Sequence, residues 1–214
     1  MTDAARADTA PQAVPSVGAW RVGKVQRNTA ETQIDVTLHL DGTGRNDIST
    51  GLPFFDHMLA QLSKHARFDL VLRTAGDLEV DAHHAVEDTG IALGEAMRQA
   101  WGDKAGVRRF ASCVVPLDEA AVEVVLDLSG RPYLHYDIEP PGEKILGDPP
   151  FDPQLCEEFW RGLAMSAGIT LHFVMLRGRN THHIIEASFK GAARAFHDAV
   201  RITDDVLPST KGVL

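Results

Sequence analysis

The chain contains little cysteine. Among its 214 residues only Cys113 and Cys156 are cysteines, and their wide separation matches no metal-binding or redox spacing. We therefore expect reduced thiols and a cytoplasmic location rather than a disulfide framework. No apolar run approaches the roughly 18 residues that cross a bilayer, and the N-terminal residues lack the apolar segment of a secretory signal. These absences argue against a disulfide-stapled secreted domain and predict no membrane partner.

Positive charge is also in short supply. The 21 Lys and Arg residues are outnumbered by 30 Asp and Glu residues, which gives a net charge of −9. Because affinity for a nucleic-acid backbone comes mainly from Lys and Arg, we expect no nucleic-acid partner, although a local basic pocket for one small phosphate stays open. The hydrophobic fraction of 44% is ordinary for a globular protein. Residues 1–19 are rich in Ala and Pro and are predicted to form a disordered tail.

One pattern, His-His-x-x-Glu, occurs twice in this chain. The copies lie 99 residues apart and consist of His83, His84 and Glu87, and of His182, His183 and Glu186. After each copy, apolar residues recur at steps of three and four in the same register, which predicts two amphipathic helices. Both helices should begin at the His pair, capped by Asp81 in the first copy and by Asn180 or Thr181 in the second.

The repeat extends upstream of the two helices. FDHMLAQLSKHARFDLVL, from Phe55, aligns with EEFWRGLAMSAGITLHFV at an offset of 101, which places His57 opposite Glu158. LDGTGR, from Leu40, resembles LDLSGR, from Leu126, at a smaller offset. The difference implies an insertion, and the Pro/Gly-rich stretch 139–153 is the candidate. The DGTG sequence is typical of a hairpin turn.

Each half is therefore predicted to form strand, turn, strand, helix, strand and helix. This pattern indicates an α+β protein built as a tandem repeat of two similar units, with the helix layers packed together. We place the first unit at 20–110, the second at 111–207 and a C-terminal phosphate-binding tail at 208–214. No flexible linker separates the units, so one compact body is expected. Simple duplication explains the hydrophobic repeat, but it does not explain the doubled His-His-x-x-Glu.

The doubled motif has the chemistry of metal binding. On a helix, His83 and Glu87 share one face, while His84 points about 100° away. Imidazole and carboxylate together suit a divalent ion such as Mn, Fe, Co or Zn. Two helices with this motif favour two metal sites over solvated surface histidines. A second constellation, with cations and hydroxyls suited to a phosphate monoester, consists of Arg108, Arg109, Arg131, Ser209, Thr210 and Lys211.

The motifs together resemble the imidazoleglycerol-phosphate dehydratase family of histidine biosynthesis. The resemblance runs from about Val22 to Leu214 and rests on RNTAET, LDGTG, GLPFFDHML, DAHHAVEDTGIALG, PLDEA, DLSGRPY, THHIIEASFKGAARA and PSTKGVL. It implies two units of a four-stranded sheet with two helices each, and two Mn²⁺ ions per active site, with other divalent metals possible. It also implies a homo-oligomer of 24 subunits with active sites at subunit interfaces, acting on a small phosphate substrate.

The resemblance also assigns residues. The implied metal ligands are His57, His83, His84, Glu87, Glu158, His182, His183 and Glu186. The candidates for proton transfer are Glu31, Glu87 and Glu186. The candidates for binding the substrate or its phosphate are His65, Arg109, Arg131, Lys190, Ser209 and Lys211. Glu158 stands where the family has a histidine, so either its carboxylate ligates the ion or water takes that place.

The implied reaction removes water from D-erythro-1-(imidazol-4-yl)glycerol 3-phosphate and gives imidazole acetol phosphate. Two other functions stay open at this point. The first is a different metal-dependent enzyme acting on a small phosphate, such as a phosphatase. The second is a metal-storing shell without catalysis, against which the phosphate-type residues argue.

Overall fold

The computed structural model describes residues 21–142, 145–212 and 214, so the predicted tail at 1–19 lies outside the described residues. Two four-stranded sheets each carry two helices. The first unit contains β1 (Val22–Asn28), β2 (Thr32–His39), β3 (Asn46–Ser49), α1 (Pro53–Ala66), β4 (Asp69–Gly76) and α2 (His83–Trp101). The second contains β5 (Phe110–Leu117), β6 (Ala120–Asp127), β7 (Tyr133–Asp137), α3 (Leu155–Ala167), β8 (Thr170–Arg177) and α4 (Thr181–Ala199).

Both sheets have the same strand order. It is β1-β2-β4-β3 in the first and β5-β6-β8-β7 in the second. β1 and β4 pair antiparallel with the two edges of β2, so β3 must lie beyond β4, to which it runs parallel. The prediction of a hairpin at DGTG is therefore wrong, because β2 has no free edge to pair with β3. The loop is instead held by the Asp69 carboxylate, which accepts the backbone N–H groups of Thr43 and Arg45 at 2.7 and 2.9 Å.

The strand registers refine the repeat. Leu38 lies opposite Leu70 and Leu126 lies opposite Leu171, so Leu38 and Leu126, 88 residues apart, are equivalent. The match between LDGTGR and LDLSGR is thus two residues out of register. The offset between equivalent residues of the two units rises from 88 to 101 at the C-caps of α1 and α3. These C-caps are Arg67 and Gly168, both in the left-handed backbone conformation. The thirteen added residues fall between β7 and α3, which confirms the predicted insertion.

The core lies between the two sheets and is filled by the helices. Alternate residues of β2, including Ile34 and Val36, are buried on the helix side of their sheet. α2 packs on α3, and α1 packs on α4, so each helix of one unit contacts a helix of the other. The predicted contact of the two helix layers is confirmed. No helix in the described ranges is long and apolar enough to cross a membrane.

Candidate metal centre

The contact between α1 and α4 brings three donor side chains together. His57, in the second turn of α1, meets His182 and Glu186, which lie one turn apart at the start of α4. One donor atom from each residue lies within 4.8 Å of the other two. Within the described ranges no other group of three His, Cys, Asp or Glu side chains is this close. The cluster thus joins the two halves of the repeat.

Glu186 is the centre of this cluster. Its Oε2 lies 2.9 Å from His182 Nε2 and 3.3 Å from His57 Nε2, while its Oε1 accepts a hydrogen bond from Lys190 Nζ at 2.7 Å. Burial acts to raise the pKa of this carboxyl group, but the hydrogen bonds from Lys190, His182 and His57 outweigh it and lower the pKa to about 2. Glu186 therefore carries a carboxylate, and two imidazoles and one carboxylate oxygen suit a divalent cation.

Local structure fixes the direction of the His182 ring. The side chain of Asn180 caps α4 by accepting the backbone N–H groups of His182 and His183, as predicted. The edge of the His182 ring meets the ring of Phe54, with 5.4 Å between centroids.

The prediction that Asp81 caps α2 is wrong. The N-cap of α2 is Ala82, and no side chain caps this helix, because the Asp81 carboxylate binds the backbone N–H of Ala82 instead.

The equivalent set, which combines α2 of the first unit with α3 of the second, is more open. His83 Nε2 lies 3.8 Å from Glu87 Oε2, one turn apart on α2. Glu158, the counterpart of His57, points its Oε2 towards Arg161 Nε at 3.4 Å. These three residues do not form a tight donor group in the described chain. The two donor sets are therefore unequal, one with His57 and the other with Glu158.

The second histidine of each motif faces a different carboxylate. The rings of His182 and His183 are nearly perpendicular, at 86°, as are those of His83 and His84, at 85°. His183 Nδ1 lies 2.8 Å from Glu119 Oε2, and His84 Nδ1 lies 3.1 Å from Asp77 Oδ2. His183 and two backbone N–H groups lower the pKa of Glu119 to about 2. The hydrogen bond with Asp77 raises the pKa of His84, and the negative charge of Glu31 adds a smaller effect in the same direction.

Glu119 and Asp77 are not among the site residues predicted from the sequence. Glu119 immediately precedes β6, as Glu31 immediately precedes β2. Correct alignment of the two strands would have paired Glu119 with Glu31 and drawn attention to it. Asp77 follows β4 in a six-residue connection that the second half shortens to three. The residue that directly follows β8 is Gly178, so the repeat does not preserve the carboxylate of Asp77 and no sequence signal marked it.

The phosphate candidates form two groups. In the first group, Lys190 contacts Glu186, and His65 pairs with Gln61 at 3.2 Å. Burial, followed by the nearby positive charges of Lys190 and Arg194, lowers the pKa of His65. The others gather at the opposite end of α4. There the guanidinium of Arg109 donates to the Asp127 carboxylate and to the carbonyl oxygen of Pro208, both at 2.7 Å. The backbone N–H of Arg109 donates to the carbonyl oxygen of Ala199 at 3.0 Å.

Arg131 and the C-terminal segment belong to this second group. Arg131 Nη2 lies 3.8 Å from Asp127 Oδ2, and the backbone N–H of Lys211 donates to Ser209 Oγ at 3.2 Å. At a rise of 1.5 Å per residue, the 17 steps of α4 from His182 to Ala199 span about 25 Å. The second group therefore lies far from the donor cluster of the same chain.

Known proteins share both this fold and this sequence. The family model described as "Imidazoleglycerol-phosphate dehydratase" matches residues 50–196. The chain belongs to the imidazoleglycerol-phosphate dehydratase family. Similar relatives carrying that name come from Symbiobacterium thermophilum, 54% identical over 100% of both chains, and from Jannaschia sp., 53% identical over 91% of this chain and 100% of the relative.

Solved structures agree with the sequence relatives. The imidazoleglycerol-phosphate dehydratase of Staphylococcus aureus superimposes with a TM-score of 0.74 at 36% identity, covering 83% of this chain and 97% of that one. The Pyrococcus furiosus protein, solved in complex with (S)-C348, gives a TM-score of 0.76 at 36% identity, covering 89% and 100%. The predicted family and the predicted α+β tandem architecture are confirmed.

Proposed function

We propose that the chain catalyses the dehydration of imidazoleglycerol phosphate in histidine biosynthesis, with two divalent cations, Mn²⁺ in the first instance, at each active site. The reaction breaks a C–O bond and a neighbouring C–H bond of D-erythro-1-(imidazol-4-yl)glycerol 3-phosphate. The hydroxyl leaves as water, and the resulting enol becomes the ketone imidazole acetol phosphate. Family membership supports the dehydratase activity, and the donor cluster of His57, His182 and Glu186 carries the metal proposal.

The donor atoms fit a borderline cation. A carboxylate held deprotonated, with two imidazole nitrogens within 3.3 Å of one of its oxygens, offers the nitrogen and oxygen ligands that manganese accepts. Bound cations would supply Lewis acidity that favours loss of the imidazole N–H proton of the substrate. We assign His83, Glu87 and Glu158 to the second set, in which an additional carboxylate replaces one imidazole. His84 and His183 complete the proposed ligands.

We assign proton transfer to Glu31, which immediately precedes β2, and to Glu87 and Glu186 near the starts of α2 and α4. Glu31 is exposed and its Oε2 lies 3.6 Å from His84 Nδ1, beside the proposed ligands but free to approach a substrate. We assign it the removal of the C–H proton, with Glu87 or Glu186 as the partner acid or base. Lys190, whose ammonium binds Glu186, orients that carboxylate and adds positive charge next to the cluster.

The distance along α4 supports a homo-oligomer with shared active sites. The backbone of Arg109 binds that of Ala199, which lies about 25 Å from His182 along α4. The group that Arg109 forms with Arg131, Ser209 and Lys211 is therefore too far from the donor cluster of the same chain for one small phosphate substrate to span. A second copy of the chain would bring its phosphate-binding residues close to the metal donors of the first copy. Apolar side chains exposed on the second sheet, Phe110 at 55%, Val114 at 54% and Tyr133 at 52%, favour such packing. We propose the 24-subunit shell on this basis and on the resemblance.

A coupled assay tests the function. Purified protein is stripped of metal, reloaded with Mn²⁺, and given imidazoleglycerol phosphate, while ketone formation and phosphate release are measured together. We expect Mn²⁺-dependent ketone without phosphate release. Phosphate release instead would identify a phosphatase, and bound metal without turnover would identify a storage shell. His182→Ala should lower bound Mn²⁺, whereas His135→Ala, on the exposed face of the second sheet, should not.

Glu31→Gln separates chemistry from metal binding. Because Glu31 contacts His84 only at 3.6 Å, its loss should abolish turnover and leave bound Mn²⁺ unchanged. A variant that also loses Mn²⁺ would make Glu31 a ligand or a structural residue, not a base.

A further inference from the structure

We propose that Glu119 is a positioning residue that selects the tautomer of His183 in which Nε2 has a free lone pair for the metal ion. The inference rests on the proposed function, since it concerns a proposed ligand. Glu119 lies in the turn between β5 and β6, beside Asp118, whose φ is 48°. This turn places the Glu119 carboxylate against the start of α4.

The two oxygens of Glu119 have separate tasks. Oε1 accepts the backbone N–H groups of Asn180 and Arg179 at 2.7 and 3.1 Å, which fixes the carboxylate to the loop before α4. Oε2 lies 2.8 Å from His183 Nδ1. A carboxylate only accepts hydrogen bonds, so Nδ1 must carry the proton. In a neutral ring Nε2 is then unprotonated, which is the form that ligates a metal.

The ring that Glu119 holds is accessible. His183 and Glu119 line a surface cleft with Asp118, Pro141 and Arg179, and the His183 side chain is 28% exposed. Asp118 Oδ2 lies 3.8 Å from Nε2, too far for a hydrogen bond. The short contact at Nδ1 therefore decides the tautomer, and the opposite nitrogen faces a space that a cation or a second copy can reach.

His84 in the first half has a looser partner. Both oxygens of Asp77 lie near His84 Nδ1, at 3.1 and 3.3 Å. In the described chain no backbone N–H fixes either of these oxygens. Asp77 thus takes the place at His84 that Glu119 takes at His183, and Glu31, the repeat counterpart of Glu119, stays at 3.6 Å. This division leaves Glu31 uncommitted and available for proton transfer.

Glu119→Gln is the decisive variant. The two backbone N–H groups need an acceptor, so the Gln carbonyl oxygen must stay with them and its NH₂ must face His183. An NH₂ group only donates, so Nδ1 must become the acceptor and the proton must move to Nε2. The variant keeps the shape of the side chain but imposes the tautomer that cannot ligate through Nε2.

Two matched variants isolate this effect. Asp77→Asn makes the same chemical change at His84, but its unfixed amide can rotate and present the carbonyl oxygen to Nδ1. Asp118→Asn removes one negative charge beside His183, from a side chain that is 76% exposed, without touching Nδ1. Neither should disturb a tautomer.

The measurements are ¹⁵N solid-state NMR of histidine-labelled, metal-free, full-length protein and the affinity for Mn²⁺. The His183 signals are identified by difference from His183→Gln. We expect Glu119→Gln to move the proton from Nδ1 to Nε2 and to weaken Mn²⁺ binding about 10- to 100-fold. Asp77→Asn should leave the proton of His84 on Nδ1, and Asp118→Asn should stay within about threefold of wild type in its affinity for Mn²⁺. The thermal midpoint of the metal-free proteins should be unchanged.

Three results would overturn the inference. These are an unmoved proton in Glu119→Gln, unweakened Mn²⁺ binding after the proton has moved, and an equal loss in Asp118→Asn, which would show that charge matters rather than tautomer. A wild-type protein that binds no Mn²⁺ would refute the proposed metal site, while the spectrum of the metal-free protein would still decide which nitrogen carries the proton.

Discussion

Replacing Gly90 by alanine should force α2 and α3 apart. A Cβ atom at Gly90 would lie 2.3 Å from the carbonyl oxygen of Phe159, and contacts below 3.0 Å are essentially never found for real Cβ atoms. The obstacle is backbone, so the two helices must separate by at least 0.7 Å. A gap of that size forfeits about a quarter to a half of each dispersion contact across the crossing.

The magnitude follows from two opposing effects. Overpacking of this kind costs about 1–3 kcal/mol, while alanine in a helix interior gains about 1 kcal/mol over glycine. Because a contact of 2.3 Å with backbone belongs at the upper end of that range, we expect a net loss of about 2 kcal/mol. A loss of that size lowers the thermal midpoint by about 4–8 °C for a chain of this size. The assay is calorimetry of the metal-free protein at one fixed concentration, because assembly makes the midpoint concentration-dependent.

Gly191→Ala provides the matched control on α4. There the new Cβ would lie 2.8 Å from Val124 Cγ2, which is a side-chain atom rather than backbone, so the clash does not require two backbones to separate. The variant should therefore stay within about 1 kcal/mol of wild type. A Gly90→Ala protein as stable as wild type, or more stable, would refute the claim that backbone contact sets the distance between α2 and α3.

Two further predictions concern polar contacts. Burial opposes ionisation of Asp69, but hydrogen bonds from the loop at Thr43 and Arg45 outweigh it and lower the pKa of Asp69. Its contribution to stability is therefore present above about pH 4 and is lost as pH falls through the lowered pKa. In urea titrations at a series of pH values, Asp69→Asn should reduce the loss of stability that wild type shows at acid pH. Arg27→Leu breaks the partly buried bond to Asp88 at 2.7 Å and should cost about 2 kcal/mol in the same titrations. Arg73→Leu, which breaks an exposed pair with Asp47, should change stability by less than about 1 kcal/mol, and equal losses in the two would contradict the role of burial.

The sequence predicted the helices and the unit architecture well because amphipathic periodicity is a local property. The stripes that begin at Val86 and Ile185 are buried in register, as expected. It failed at DGTG, where turn chemistry indicated a hairpin, because strand pairing depends on which edges are free in the assembled sheet. It failed at Asp81 for a related reason: a capping residue type does not fix which backbone N–H the side chain reaches.

For this chain, the sequence by itself determined the family, the two-unit repeat, the start of each motif helix and the kinds of donor atoms available. It left open how the donors are grouped. Only the tertiary structure decided that His57 of the first unit joins His182 and Glu186 of the second, because a periodic pattern shows which helix face is buried but not which helix it meets. The same holds for Glu119, which becomes a partner of His183 only when the β5–β6 turn packs against the start of α4.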